Sequence, residues 1–124
     1  MTRILVIDDD PGIRRLIAFT LADEGYTVDE ASEGDGALQL VEQHHPEIIV
    51  LDMQMPGVDG WEFAKLYRER YDRQAPIIVL TAAQDAARRR EDIDAEAYVT
   101  KPFELDELVA AVSAVAKTLK NDGE

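Results

Sequence analysis

Residues 48–57 read IIVLDMQMPG, a short apolar run that ends in the single carboxylate of Asp52. Such runs are too short for helices, and they alternate with longer segments of helical period, which is the pattern of a parallel β-sheet with helical crossovers. The carboxyl ends of parallel strands share one edge of the sheet, and that edge is where such sheets bind ligands. Three further apolar runs also end in polar residues: 4–7 in Asp8, Asp9 and Asp10, 77–80 in Thr81, and 98–100 in Lys101.

The composition excludes several classes of protein. The chain has 124 residues, which fits one domain, and no cysteine, which excludes disulfides and thiolate metal sites. The net charge of -13 argues against binding nucleic acid through its phosphates, which needs clustered Lys and Arg. No charged-then-apolar leader opens the chain, and no apolar run approaches the roughly 18 residues of a membrane span. We therefore expect a soluble cytoplasmic protein that binds neither nucleic acid nor membrane.

The segments between the runs predict five strands and five helices in strict alternation. Asp10 and Pro11 predict an N-cap and a first-turn proline. The inward face of this first helix is predicted to carry Ile13, Leu16, Ile17 and Leu21. A second strand is predicted at 27–29, with later helices at about 36–44, 59–71, 85–92 and 105–119. Right-handed crossovers then favour a doubly wound three-layer α/β/α sandwich, with one domain at 1–120 and a tail at 121–124.

A strand order of 2-1-3-4-5 places the switch point between the first and third strands, where Asp8, Asp9 and Asp52 would meet. Three adjacent carboxylates repel one another unless a cation joins them, and oxygen-only ligands favour a hard ion, Mg²⁺ above all. Lys101 would add a fixed positive charge, and Thr81 a hydroxyl donor. This set predicts phosphoryl transfer in which Asp52 attacks phosphorus and becomes an acyl phosphate.

The chain resembles a receiver domain of bacterial two-component response regulators over essentially its whole length. Four segments in order carry the resemblance: the acidic residues after the first strand, the phosphoacceptor strand and its loop, the switch hydroxyl, and the lysine segment. In this sequence they read IDDD at 7–10, LDMQMPGVDG at 51–60, LTA at 80–82 and YVTKPF at 98–103. The resemblance implies a flavodoxin-like sheet and a single-domain, chemotaxis-regulator-like protein.

The resemblance also implies a role for each residue of the site. Asp52 would be the phosphorylated residue. Asp9 and Asp52 would bind Mg²⁺ directly, Asp8 would act mainly through water, and Gln54 would offer its backbone carbonyl. Lys101 would pair with the phosphoryl group and precede a cis peptide to Pro102.

Two further residues are implied to change state on phosphorylation. Thr81 would swing toward the new phosphate, and Tyr98 would follow from an outward to an inward rotamer. Such a device is a two-state element biased by a local charge change. One departure from the family lies between Thr81 and Lys101, where the chain is a couple of residues shorter than usual. The helix predicted at 85–92 should therefore be short, loosely packed or differently oriented.

The predicted function is a phosphorylation-activated signalling switch. A histidine kinase or histidine phosphotransfer protein would be the donor, and a downstream partner protein would read the output from a monomer or weak dimer. The only catalysis expected is of its own phosphorylation and autodephosphorylation.

The alternative function is a receiver-like binding module that is never phosphorylated, although the intact set of site residues argues against it. An aspartyl phosphatase is disfavoured because such an enzyme needs a second acid/base carboxylate where this chain has Gln54. A flavodoxin-type carrier is disfavoured because the acidic first loop would repel the cofactor's phosphate.

Overall fold

The computed structural model describes residues 2–53, 60–71, 74–82 and 95–122. Strands and helices alternate along most of this chain. The strands are β1 (Arg3–Ile7), β2 (Thr27–Ala31), β3 (Ile48–Asp52), β4 (Ile77–Ala82) and β5 (Ala97–Lys101). The helices are α1 (Pro11–Asp23), α2 (Gly34–Gln43), α3 (Gly60–Arg70) and α4 (Leu105–Asp122). The helix predicted at 85–92 lies outside the described residues, so α4 corresponds to the last of the five predicted helices.

The five strands form one parallel sheet in the order β2-β1-β3-β4-β5, which confirms the predicted topology. Helices cover both faces, and each face has its own apolar core. On one side Leu5 and Leu51 pack with residues of α2 and α3. On the other side Ile4 and Val50 pack with residues of α1 and α4. Burial on both faces explains why β1, β3 and β4 read as continuous apolar runs instead of alternating ones.

The start of α1 follows the predicted capping chemistry. The Asp10 carboxylate accepts hydrogen bonds from the backbone amides of Gly12, at 2.9 Å, and Ile13, at 3.2 Å. Pro11 occupies the first turn, where its missing N–H costs nothing. The cap fixes where the helix leaves the end of β1, and hence where the acidic residues lie.

The inward face predicted for α1 is wrong at two of its four residues. Ile17 and Leu21 are fully buried, whereas Ile13 is 39% and Leu16 is 52% exposed, and Phe19 is 75% exposed. At 100° per residue the helix turns Leu16 and Phe19 away from the buried stripe. A helix that covers only one face of a sheet buries a narrow stripe, so apolar residues beyond it stay in contact with solvent.

Several element boundaries differ from the prediction. β2 runs on to Ala31 because its last residues continue the register with β1, and Glu30 and Ala31 pair with Val6 and Ile7. α2 begins at Gly34, two residues early, and ends at Gln43. α4 extends to Asp122, so the helix includes the first two residues of the predicted tail, and the domain boundary at 120 stays a prediction. Among the described residues, none of the helices is long and apolar enough to cross a membrane.

Candidate functional site

Three carboxylates meet at the carboxyl edge of the sheet, as the sequence predicts. Ile7 pairs with Leu51, so the residues that follow β1 and the last residue of β3 reach the same level of the edge. Each of Asp8, Asp9 and Asp52 offers an oxygen, and these oxygens all lie within 4.8 Å of one another. Asp8 and Asp52 are buried, whereas Asp9 is exposed. The cluster is therefore open to solvent on the side of Asp9 and buried in the protein on the side of Asp8 and Asp52.

Asp8 is held in an environment that disfavours its charge. Its side-chain Oδ1 accepts a hydrogen bond from the Asp10 amide at 3.0 Å, whereas the buried Oδ2 has no hydrogen-bond partner among the described residues. The pKa of Asp8 is raised to about 6, chiefly by burial and further by the neighbouring Asp52 charge, although the Asp10 amide and Lys101 oppose the increase. A buried oxygen without a donor and two adjacent carboxylates are what a small divalent cation would satisfy, so the donor set fits Mg²⁺.

Replacing Asp8 by asparagine is expected to stabilise the metal-free protein by about 1 kcal/mol at pH 7.5, because it removes a buried charge beside Asp52. The folded-state pKa of Asp8 lies above the ordinary value, so folded protein holds the proton more tightly and wild-type stability falls as pH rises from about 4 to about 6. Urea unfolding in chelator should show the two proteins converging near pH 4, separating as the pH rises toward 6, and keeping a constant difference in stability above that. Asp10→Asn is the matched control, since asparagine caps a helix equally well. A variant that is less stable than wild type at pH 7.5 would contradict the prediction.

Lys101 supplies the positive charge at this edge. Its Nζ donates to Asp52 Oδ1 at 3.0 Å, and the side chains of Lys101 and Asp52 are 30% and 3% exposed. Lys101 pairs with Ala82 at the end of β5, which carries its long side chain across the top of β4. The peptide from Lys101 to Pro102 is cis, which confirms the prediction for this bond.

Thr81 lies at the end of β4 next to the carboxylates, and Tyr98 lies on β5 at the margin of the sheet. Asp52 pairs with Leu80, so Thr81 stands one residue further along its strand. Thr81 is 1% exposed, and its hydroxyl oxygen is buried with no hydrogen-bond partner in the described part of the chain. Tyr98 is 39% exposed. The structure thus brings Thr81 toward the cluster and leaves Tyr98 at the surface.

Gly60 is a site residue whose contact the sequence analysis did not identify. A Cβ there would lie 2.8 Å from Met53 Cα and 3.0 Å from the Asp52 carbonyl oxygen. The first residue of α3 therefore packs directly on the backbone that carries Asp52. The glycine was visible in the sequence, but only its close approach to Asp52 explains why it is needed. Gln54, predicted to offer a backbone carbonyl, lies outside the described residues.

The sequence matches the family model of the response regulator receiver domain over residues 4–113. The chain belongs to this family. Among curated relatives, response regulator MprA of Mycobacterium leprae is 39% identical over 122 residues, covering 97% of this chain and 53% of the relative. The transcriptional regulatory protein ResD of Bacillus subtilis is 40% identical over 118 residues, covering 94% of this chain and 48% of the relative. This receiver domain thus spans about half the length of the curated relatives it matches.

Solved structures of receivers share the fold. Chemotaxis response regulator CheY4 of Vibrio cholerae superposes with a TM-score of 0.84 at 30% identity, covering 93% of this chain and 98% of that one. Response regulator TrrA of Thermotoga maritima, solved in complex with Mg²⁺ and BeF, has a TM-score of 0.81 at 38% identity, covering 93% of this chain and 99% of that one. The flavodoxin-like fold that the resemblance implied is confirmed. Receiver domains are signalling switches of two-component systems, and this chain is one of them by sequence and by fold.

Proposed function

We propose that this receiver domain is switched by phosphorylation at Asp52, with a phosphohistidine of a kinase or of a histidine phosphotransfer protein as the donor. The observation that carries the proposal is the position of Asp52. Its buried carboxylate contacts Lys101 Nζ at 3.0 Å and shares a cluster of oxygens within 4.8 Å with Asp8 and Asp9. A nucleophile, a fixed cation and ligands for a hard metal ion are what phosphoryl transfer to a carboxylate requires.

The protein's own residues would divide the work of the transfer. A carboxylate oxygen of Asp52 attacks phosphorus as the bond to the donor's histidine nitrogen breaks, and the phosphoryl group becomes an acyl phosphate on Asp52. Asp8, Asp9 and Asp52, with the Gln54 carbonyl, would hold Mg²⁺, which supplies positive charge opposite the phosphoryl oxygens. Lys101 would move its ammonium from the carboxylate to a phosphoryl oxygen, so that neither state leaves the lysine without an anion.

The conformational response would pass through Thr81 and Tyr98. The buried hydroxyl of Thr81 has no hydrogen-bond partner in the described residues, and a phosphoryl oxygen on Asp52 would provide an acceptor. Movement of Thr81 toward that oxygen would free space beside β4, into which the half-exposed ring of Tyr98 could turn. A hydrogen bond gained only in the phosphorylated protein is the differential contact that shifts such an equilibrium.

The surface beside the site supports a protein as the donor. α1 begins directly after the acidic residues and carries Ile13, Leu16 and Phe19 in contact with solvent. A donor protein that brings its phosphohistidine to Asp52 would remove this apolar face from solvent.

Output would then pass to a downstream partner protein, and catalysis would be limited to the protein's own phosphorylation and dephosphorylation. The cytoplasmic location and the monomeric or weakly dimeric state stay predictions.

Intact-mass spectrometry after incubation with acetyl phosphate and Mg²⁺ tests the proposal. Asp52→Asn is the variant, and a sample with a metal chelator is the control. We expect one phosphoryl adduct on wild type and none on the variant or in chelator. If no adduct forms, beryllofluoride with Mg²⁺ tests for a short-lived phosphate through spectral changes at the site. No adduct and no response to beryllofluoride would contradict the proposal and favour a phosphorylation-independent binding module.

A further inference from the structure

Arg14 contacts the peptide that joins the two acidic residues after β1. It lies in the first turns of α1, and its Nη1 donates to the Asp8 carbonyl oxygen at 3.1 Å. That carbonyl belongs to the peptide bond between Asp8 and Asp9. The orientation of this peptide plane sets the backbone angle on the carboxyl side of Asp8 and on the amino side of Asp9, and hence the direction in which both side chains leave the backbone.

The guanidinium is itself held in place from a second element. Arg14 Nε donates to Glu30 Oε1, on β2, at 3.2 Å, and the Arg14 side chain is only 15% exposed. The same stretch of β2 holds Asp8 from its other side, since the Asp8 amide donates to the Ala31 carbonyl at 3.1 Å. The planar fork of arginine suits this geometry, because separate nitrogens bind the carbonyl and the carboxylate at once.

We propose that Arg14 is a positioning residue of the acidic cluster: its guanidinium, braced by Glu30, fixes the peptide between Asp8 and Asp9 so that their carboxylates face Asp52 in the geometry of a divalent cation site. The inference rests on the proposed Mg²⁺ site and assigns a residue to its support. Small divalent ions demand near-ideal ligand positions, so a loosened peptide weakens binding even when every carboxylate is present.

A positioning role and a simple charge effect predict opposite results. Arg14 is a cation near three carboxylates, so charge alone predicts that Arg14→Gln tightens Mg²⁺ binding and that Arg14→Lys changes nothing. Positioning predicts that both variants weaken binding, by about tenfold, the lower end of the effect of groups that orient metal ligands. Arg15 gives the matched control. Its side chain is 78% exposed, its Nε lies 3.8 Å from the same Glu30 oxygen, and among the described residues it has no hydrogen bond to the Asp8 carbonyl.

The experiment is calorimetric titration of Mg²⁺ into metal-free wild type, Arg14→Lys, Arg14→Gln and Arg15→Gln at constant ionic strength. We expect the dissociation constant to rise about tenfold in both Arg14 variants and to stay within about twofold in Arg15→Gln. A second readout needs no metal: the Asp10 amide, which donates to Asp8 Oδ1, should exchange its hydrogen faster in the Arg14 variants. Thermal unfolding of each variant identifies the folded ones, and Arg14→Lys decides if Arg14→Gln does not fold.

The outcomes separate this inference from the proposed function. Suppose that the wild type binds Mg²⁺. If Arg14→Lys then binds it with the same affinity, or if Arg14→Gln binds it more tightly, the positioning role is overturned and the phosphorylation switch stays intact. Mg²⁺ binding that is absent from wild type would overturn the metal site of the proposed function, and the role of Arg14 with it.

Discussion

Lys101→Met is expected to destabilise the metal-free protein by about 3 kcal/mol, which for a domain of this size lowers the Tm by roughly 10 °C. The reason is that Asp52 is 2% exposed and has Asp8 and Asp9 as neighbours, so loss of the ammonium leaves a buried carboxylate facing two others. Removing one partner of a buried pair costs more than the pair contributes, because the remaining charge cannot return to water. Mg²⁺ should restore much of the loss, since it supplies the missing charge.

Thermal and urea unfolding with chelator and with Mg²⁺ measure this effect. Lys117→Met is the control, because Lys117 is exposed on α4 and its loss should change stability by less than about 0.5 kcal/mol. The double variant Asp8→Asn with Lys101→Met tests the cause, since removal of one competing carboxylate should make the lysine substitution less costly. Equal stabilities of Lys101→Met and Lys117→Met in chelator would refute the argument.

Gly60→Ala is expected to destabilise the protein by about 2 kcal/mol and to slow phosphorylation of Asp52, whereas Gly36→Ala should stabilise it by about 0.5 kcal/mol. The added methyl group at Gly60 would lie within 3.0 Å of backbone atoms of Asp52 and Met53. That backbone cannot yield easily, because the Met53 amide is bound to the Leu80 carbonyl at 3.2 Å. At Gly36, inside α2, the nearest atom is 4.0 Å away, so only the gain in helix propensity remains.

This pair of variants separates a steric effect at the site from the general preference of helices for alanine. Urea unfolding gives the two stabilities, and intact-mass kinetics with acetyl phosphate gives the rate for each variant. Phosphorylation of Gly36→Ala should proceed at the wild-type rate. A Gly60→Ala protein that is both as stable and as fast as wild type would show that α3 can move away from Asp52 without cost.

The parts of the site carried by the strands could be predicted from the sequence. Asp8, Asp52 and Lys101 each stand at or directly after the end of an apolar run, and parallel strands bring such ends together whatever the details of packing. Thr81 could be predicted in the same way, because it also stands directly after an apolar run. The right-handed crossover rule only narrows the possible orders of the strands, and the resemblance to receiver domains favoured the order 2-1-3-4-5 among them.

What the sequence left undetermined depends on contacts between elements. The exposure of Leu16 depends on how α1 is rotated about its own axis when it packs on the sheet. Helical periodicity in the sequence does not specify this rotation. Arg14 reads as a surface charge until its hydrogen bonds to Asp8 and Glu30 are known. Gly60 reads as an ordinary residue of the first turn of a helix until the distance from its backbone to Asp52 is measured. In each case the information lies in the distance between two segments far apart in the chain.

The burial of the central strands has a mechanical consequence. β1 and β3 are covered on both faces, and Ile4, Ile7, Ile48 and Leu51 are all 0% exposed, so neither strand can shift without disturbing both cores at once. β5, by contrast, lies at the margin of the sheet and is only partly covered. The acidic residues are thus attached to strands that are buried on both faces, whereas Lys101 and Tyr98 lie on a strand at the partly covered margin of the sheet. Under the proposed function, a phosphoryl group on Asp52 would therefore displace this marginal strand more readily than the central ones, at a position that a neighbouring molecule could contact.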